Sequence, residues 1–142
     1  MKKPFQHLAK AMVLFCVGAV AYALIEVLWR GYTHWTMAVL GGLLFLLIGG
    51  INEYFPWDMP LCLQAIIGSL LVTGAELIAG VVLNIWLGLG IWDYSEMPFN
   101  VLGQICPQFA AAWATLSIVA IVLDDYIRYW LFGEDKPNYR LF

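Results

Sequence analysis

The stretch that decides the fold is LCLQAIIGSLLVTGAELIAGVVLNIWL, residues 61–87. It contains a single charged residue, Glu76, in a run longer than the about 20 apolar residues that an α-helix needs to cross a bilayer. The run lacks the alternation of polar and apolar residues that a transmembrane β-strand shows. It therefore predicts a transmembrane helix.

Three further apolar runs have the same character. Only 12% of the 142 residues are charged, whereas a soluble domain carries about a quarter, so the chain lacks the polar residues for a hydrated surface. We therefore predict an all-α, polytopic transmembrane helical bundle that forms one domain over residues 1–142. Its predicted spans are 8–29, 35–51, 61–87 and 99–123, followed by an interfacial C-terminal segment at 124–142.

The distribution of positive charge predicts the orientation. Four spans place both termini on the same side of the lipid bilayer, and all the Lys and Arg residues except Arg30 lie near the two chain ends. Basic residues favour the cytoplasmic side, so both termini are predicted to be cytoplasmic. No basic cluster suggests that the chain binds nucleic acid.

Polar residues in the third run are spaced so that they share one helix face. They are Ser69, Thr73, Glu76 and Asn84, and Gly80 lies on the same face. A carboxyl group at this depth must be protonated, paired with a cation or open to water. Two interpretations remain open: a proton, cation or substrate site at Glu76, or an interhelical hydrogen bond made by a neutral acid.

Polar residues also mark the ends of the first and fourth runs. Glu26 precedes Arg30 by four residues, a spacing that predicts a structural ion pair, with anion binding by Arg30 as the alternative. Asn100 is expected to cap the fourth helix, and Gln104 and Gln108 are expected to begin a polar stripe along it. Packing through amide hydrogen bonds is the competing interpretation of that stripe.

Several chemistries leave no sign in the sequence. The P-loop, nucleophile-elbow and zinc-protease motifs are absent. No set of three or four metal ligands has a standard spacing. We therefore expect neither an enzyme nor a bound metal or cofactor.

Two segments together carry a specific pattern: RGYTHWTM at residues 30–37 and WDYSEMPFNVLGQ at residues 92–104. With these motifs, the chain resembles the CmpB-type ABC-transporter permease family (ABC-transporter type IV) over residues 24–125. The resemblance implies a small multi-pass protein of the bacterial cytoplasmic membrane, and it transfers no substrate and no catalytic residue. The loop residues that carry most of it are Trp92, Asp93, Tyr94, Ser95 and Asn100.

The leading functional hypothesis is a permease-like component for a small solute or ion. Its transport path would be completed by a homo-oligomer or a partner membrane subunit, and an ATP-driven version would need a separate ATPase. The alternatives are a non-transporting scaffold, sensor or partner-binding subunit and, more weakly, a membrane enzyme acting on lipid. In the transport hypothesis Glu76 and Asn84 line the site, Gln104 and Gln108 face it, and Arg30 with Glu26 lies at the outer mouth.

Overall fold

Helices make up all the regular secondary structure that the computed structural model describes, which covers residues 2–55 and 59–141. The elements are α1 (Lys2–Arg30), α2 (Trp35–Gly49), α3 (Ile51–Tyr54), α4 (Leu61–Gly80), a π-helical segment (Val81–Trp86) and α5 (Pro107–Phe132). Within these described ranges there is no β-strand, only an isolated bridge between Val101 and Ile105.

Four of the helical stretches are long and apolar enough to cross a membrane, which confirms the predicted all-helical fold with four candidate spans. The bounds of the third stretch agree with the predicted span at 61–87, whereas those of the fourth differ from the predicted span at 99–123. The stretches are Gln6–Arg30, Trp35–Tyr54, Leu61–Trp86 and Pro107–Phe132.

The fourth span differs from its predicted range of 99–123. The helix begins at Pro107 rather than Phe99, because Phe99, Leu102 and Gly103 all have positive φ values and cannot belong to a right-handed helix. Pro107 occupies the first turn of α5, where the missing N–H costs nothing.

The C-terminal end of the fourth span also differs. α5 continues past Leu123 without a break to Phe132, so the residues directly after the predicted span are helical. Asp124 and Asp125, the two residues directly after Leu123, are buried within the protein. Gly133, with φ of 67°, follows the last helical residue and provides the left-handed conformation that commonly ends a helix.

The chain divides into two compact units. The first consists of Met1–Trp57 and Ala120–Asn138, and the second of Asp58–Val119 and Tyr139–Phe142. α5 therefore contributes residues to both.

In the first unit, α1 and α2 pack closely through glycines. Gly18 lies against Phe45, and Gly41 lies against Tyr22, so that a side chain at either glycine would overlap its neighbour. His34 begins α2, where its ring Nδ1 accepts a hydrogen bond from the Thr36 N–H at 3.3 Å. The core cluster of this unit consists of Leu14, Phe45 and Ile127, with Val17, Leu46, Ala120 and Phe132 packed against it.

In the second unit, α4 is held by hydrogen bonds at its N-terminal end and along its polar face. Its first two free N–H groups, those of Leu61 and Cys62, donate to the carbonyl oxygens of Arg140 and Leu141 at 2.6 and 3.2 Å. Ser69 Oγ donates to the carbonyl oxygen of Ala110 on α5 at 2.6 Å. The polar face that the spacing predicts thus faces protein.

Candidate functional site around Glu76

Glu76 is buried in the second unit, with 4% of its surface exposed. Its Oε1 accepts a hydrogen bond from the Tyr94 hydroxyl at 3.0 Å, and its Oε2 accepts one from the indole N–H of Trp113, also at 3.0 Å. Tyr94 lies in the loop after the π-helical segment, and Trp113 lies on α5. Three separate parts of the chain therefore meet at one carboxyl group.

Aromatic packing fixes the position of Tyr94. Its ring stacks on that of Phe109, with centroids 4.7 Å apart and an angle of 9° between the planes. Phe109 and Trp113 are four residues apart on α5, so they lie on one face of that helix. That face supplies both the surface on which Tyr94 rests and the second donor to Glu76.

The connecting loop, residues 87–106, builds its shape from its own polar groups. Asp93 Oδ1 accepts from the Ser95 N–H at 2.8 Å, and the Tyr94 N–H donates to the Gly103 carbonyl oxygen at 2.7 Å. The prediction that Asn100 caps the fourth helix is wrong, because Asn100 lies inside the loop. Its Nδ2 donates to backbone carbonyl oxygens of the loop, and its Oδ1 accepts from the Gly103 N–H at 2.9 Å. These bonds hold Tyr94 at Glu76.

Asp93 lies at the exposed side of this loop. The backbone N–H of Ser95 donates to its carboxylate and holds the pKa of Asp93 below its ordinary value. The ionised form of Asp93 is therefore part of the loop structure.

A second polar group lies further along the same face of the third span. Asn84 Nδ2 donates to Gln104 Oε1 at 2.8 Å, and Asn84 Oδ1 accepts from the Ile91 N–H at 2.7 Å. Gly80 leaves room for the Gln104 side chain, since a Cβ there would lie 2.5 Å from Gln104 Oε1. Asn84 and Gln104 are thus directly hydrogen-bonded, and Gln104 lies in the loop and does not start a helical stripe.

The remaining predicted site residues lie elsewhere. Gln108 is exposed on the first turn of α5, apart from the hydrogen bonds around Glu76. Arg30 Nε lies 2.6 Å from Glu26 Oε2, the ion pair that the spacing predicts, and the guanidinium also stacks over the Tyr32 ring at 4.7 Å. This pair belongs to the first unit.

Sequence reasoning missed both donors to Glu76. Tyr94 stood inside the loop motif without a named partner, and Trp113 stood among alanines in an apolar run. The available signal was the spacing of Phe109 and Trp113, together with the need of a buried indole for a hydrogen-bond acceptor.

A family model described as "Putative ABC-transporter type IV" matches residues 11–133. That range contains Glu76, both of its donors and the whole connecting loop. Comparisons with curated proteins and with solved structures find no match.

Proposed function

This chain belongs to the ABC-transporter type IV family of transport-related membrane proteins, and on that premise we propose that it is a permease-like component that moves a small solute or ion. The observation that carries the proposal is the buried carboxyl group of Glu76, enclosed by donors from a loop and a second helix. Ionisable groups within membrane spans commonly mark ion or substrate pathways. No catalytic step is part of the proposal.

Glu76 is suited to binding a proton or a cation. The Tyr94 hydroxyl and the Trp113 indole N–H both donate to it, and these two donors orient the carboxyl group. A carboxyl group held in this way within a membrane span can take up a proton or coordinate a cation. The loop that carries Tyr94 would have to release Glu76 for exchange with water, which gives it the role of a gate.

The proposal also covers the membrane location, the orientation and the partners of the chain. We place the chain in the bacterial cytoplasmic membrane as a multi-pass protein with both termini in the cytoplasm. A homo-oligomer or a partner membrane subunit would complete the path, because four helices enclose little space. A separate ATPase would supply energy if transport is ATP-driven.

Proton flux into vesicles tests the proposal. The protein is reconstituted into liposomes that contain a pH-sensitive dye, and a potassium gradient with valinomycin supplies the driving force. We compare the wild type with Glu76→Gln, which keeps the shape of the side chain but removes its charge, and with Glu96→Gln, the same change at an exposed loop residue. The wild type and Glu96→Gln should acidify the lumen faster than protein-free liposomes do, while Glu76→Gln should not.

Equal flux in the wild type and Glu76→Gln would contradict a role for Glu76 in transport. Flux no higher than that of protein-free liposomes would contradict a self-sufficient proton path. Circular dichroism and gel filtration of each variant establish that a loss of flux is not a loss of fold.

A non-transporting scaffold is the second candidate, and one observation favours it. Both oxygens of Glu76 already accept hydrogen bonds within the protein, as a purely structural polar contact would require. Infrared difference spectra of the wild type minus Glu76→Gln, recorded in H2O and D2O, distinguish the two candidates. A gated site should shift its carboxyl band soon after transfer to D2O, whereas a sealed structural contact should keep it unchanged for hours.

A further inference from the structure

The first unit contains an acidic cleft with a volume of about 390 Å³. It is formed where α3 and the end of α5 come together with the segment after Gly133. The residues that line it are Asn52, Glu53, Asp125, Arg128, Gly133, Glu134 and Asp135. The permease proposal for Glu76 uses none of them.

Carboxyl groups outnumber the cations of this cleft. Arg128 is the single basic residue in the lining; its Nε pairs with Asp124 at 2.9 Å, and its Nη1 lies 3.8 Å from Glu53 and 3.7 Å from Glu134. Lys10 Nζ lies 3.5 Å from Glu134. Two cations thus face the four lining carboxyl groups and Asp124. Acidic groups outnumber basic ones in this cleft, which favours a cationic ligand.

An unsatisfied acceptor in the cleft wall gives independent evidence for a ligand. Asn52 is 4% exposed, and its Nδ2 donates to Asp125 Oδ2 at 2.7 Å. Its Oδ1 is buried and has no hydrogen-bond partner within the described part of the chain. A buried acceptor without a donor is energetically unfavourable, so a ligand with N–H groups would supply the hydrogen bond that is missing here.

The shape of the cleft favours an organic cation over a metal ion. A volume of about 390 Å³ is within the range of small-molecule sites and exceeds what a single ion fills. Across residues 2–55 and 59–141, no group of three or more His, Cys, Asp or Glu side chains has an arrangement that could hold a metal ion. Acceptors spread along a cleft suit a ligand whose N–H donors are separated by a carbon chain.

We propose that the acidic cleft binds a small organic cation with ammonium N–H donors, such as an alkyl diamine. One ammonium group meets the carboxylates of Glu53 and Asp135, and N–H groups supply the donor that Asn52 Oδ1 lacks. The carbon chain occupies the remaining volume. Binding depends on charge and on hydrogen-bond donors together.

Calorimetric titration of the full chain in nanodiscs of phosphatidylcholine tests this site. The probe is the diamine putrescine, and butanediol serves as the neutral probe of the same chain length. A titration with sodium chloride at the same ionic strength measures the heat that arises from charge screening alone. A titration of putrescine into empty nanodiscs measures its binding to lipid. We expect saturable binding of one putrescine per chain and no saturable binding of butanediol.

Two variants with a matched control locate the binding to the cleft. Glu53→Gln and Asp135→Asn each remove one lining carboxylate and should each weaken putrescine binding about three- to tenfold. Glu96→Gln makes the same charge change in the other unit and should leave the affinity unchanged.

Three results would overturn the proposal: no saturable putrescine binding, butanediol binding of equal affinity, or unchanged affinity in both cleft variants. The comparison of the two probes on the wild type decides the matter even if a variant fails to fold.

Discussion

Replacing Tyr94 with Phe removes one oxygen atom from the Glu76 site and leaves the rest of the side chain in place. The lost hydroxyl donates to Glu76 Oε1 over 3.0 Å. The ring remains stacked on Phe109, since the centroid separation of 4.7 Å involves only carbon atoms. The substitution therefore isolates the hydrogen bond from the packing.

The expected loss of stability follows from the burial of the acceptor. Glu76 is 4% exposed, so water does not replace the missing donor at Oε1. The free energy of unfolding should fall by about 1–3 kcal/mol, the range for a buried polar atom that loses its partner. Tyr94→Leu also removes the aromatic stack and should cost about 0.5–1.5 kcal/mol more.

Unfolding by sodium dodecyl sulfate in mixed lipid–detergent micelles, followed by far-UV circular dichroism, measures these differences. The decisive comparison is a double-mutant cycle with Glu76→Met, which removes the acceptor. In that background Tyr94→Phe should be close to neutral. If Tyr94→Phe costs the same in both backgrounds, or less than about 0.5 kcal/mol in the wild type, the hydroxyl does not act through Glu76.

Three further predictions concern packing, the loop and the chain end. Gly41→Ala should lower the free energy of unfolding by about 1–3 kcal/mol, because its Cβ would overlap Tyr22, whereas Gly74→Ala, with open space around it, should be neutral or stabilising in the same assay. Since the pKa of Asp93 is lowered in the folded protein, its ionised form stabilises the loop above its unfolded pKa of about 3.9, and this stabilisation is lost as the pH falls through the folded pKa. The protection of the loop amides from hydrogen exchange, relative to free peptide at the same pH, should therefore fall in that range, and less so in Asp93→Asn. Deleting residues 139–142 removes the carbonyl groups that accept from the first amides of α4 and should cost about 1 kcal/mol per bond, with faster exchange of those amides.

Much of the helical architecture could be predicted from the sequence because it depends on local properties. Apolar length identifies a span without reference to any partner, and the spacing of Glu76 and Asn84 places them on one face whatever that face meets. Both polar groups do face other parts of the second unit. The Arg30–Glu26 pair is equally local, since it needs only one turn of helix.

The start of the fourth helix could not be read from hydropathy. Residues 99–106 are largely apolar, yet the backbone there turns through positive φ values at Phe99 and Leu102. What stabilises that path is a set of side-chain to backbone hydrogen bonds from Asn100. The apolar content of a segment indicates whether it prefers lipid or water. It does not indicate which groups form hydrogen bonds with its backbone N–H and C=O groups.

The buried acids at the end of α5 show the same limit for charged residues. Asp124 and Asp125 fall in the segment at 124–142 that the sequence predicts to be interfacial. They are buried because Arg128 and Asn52 supply donors to them, and Asn52 lies far away in the sequence. A long-range partner of this kind is invisible to any analysis of local composition.

The hydrogen bonds of Glu76 connect its protonation state to the loop that carries Tyr94 and to α5, which carries Trp113. An ionised carboxylate can accept from both the Tyr94 hydroxyl and the Trp113 indole, as the geometry shows. Protonation turns one of its oxygens into a donor, and the hydrogen bond to that oxygen must weaken or reverse. Tyr94 can adapt, since a hydroxyl also accepts, whereas the indole N–H can only donate. Gain of a proton at Glu76 therefore acts most easily through Tyr94 on the connecting loop, while Trp113 keeps α5 in place.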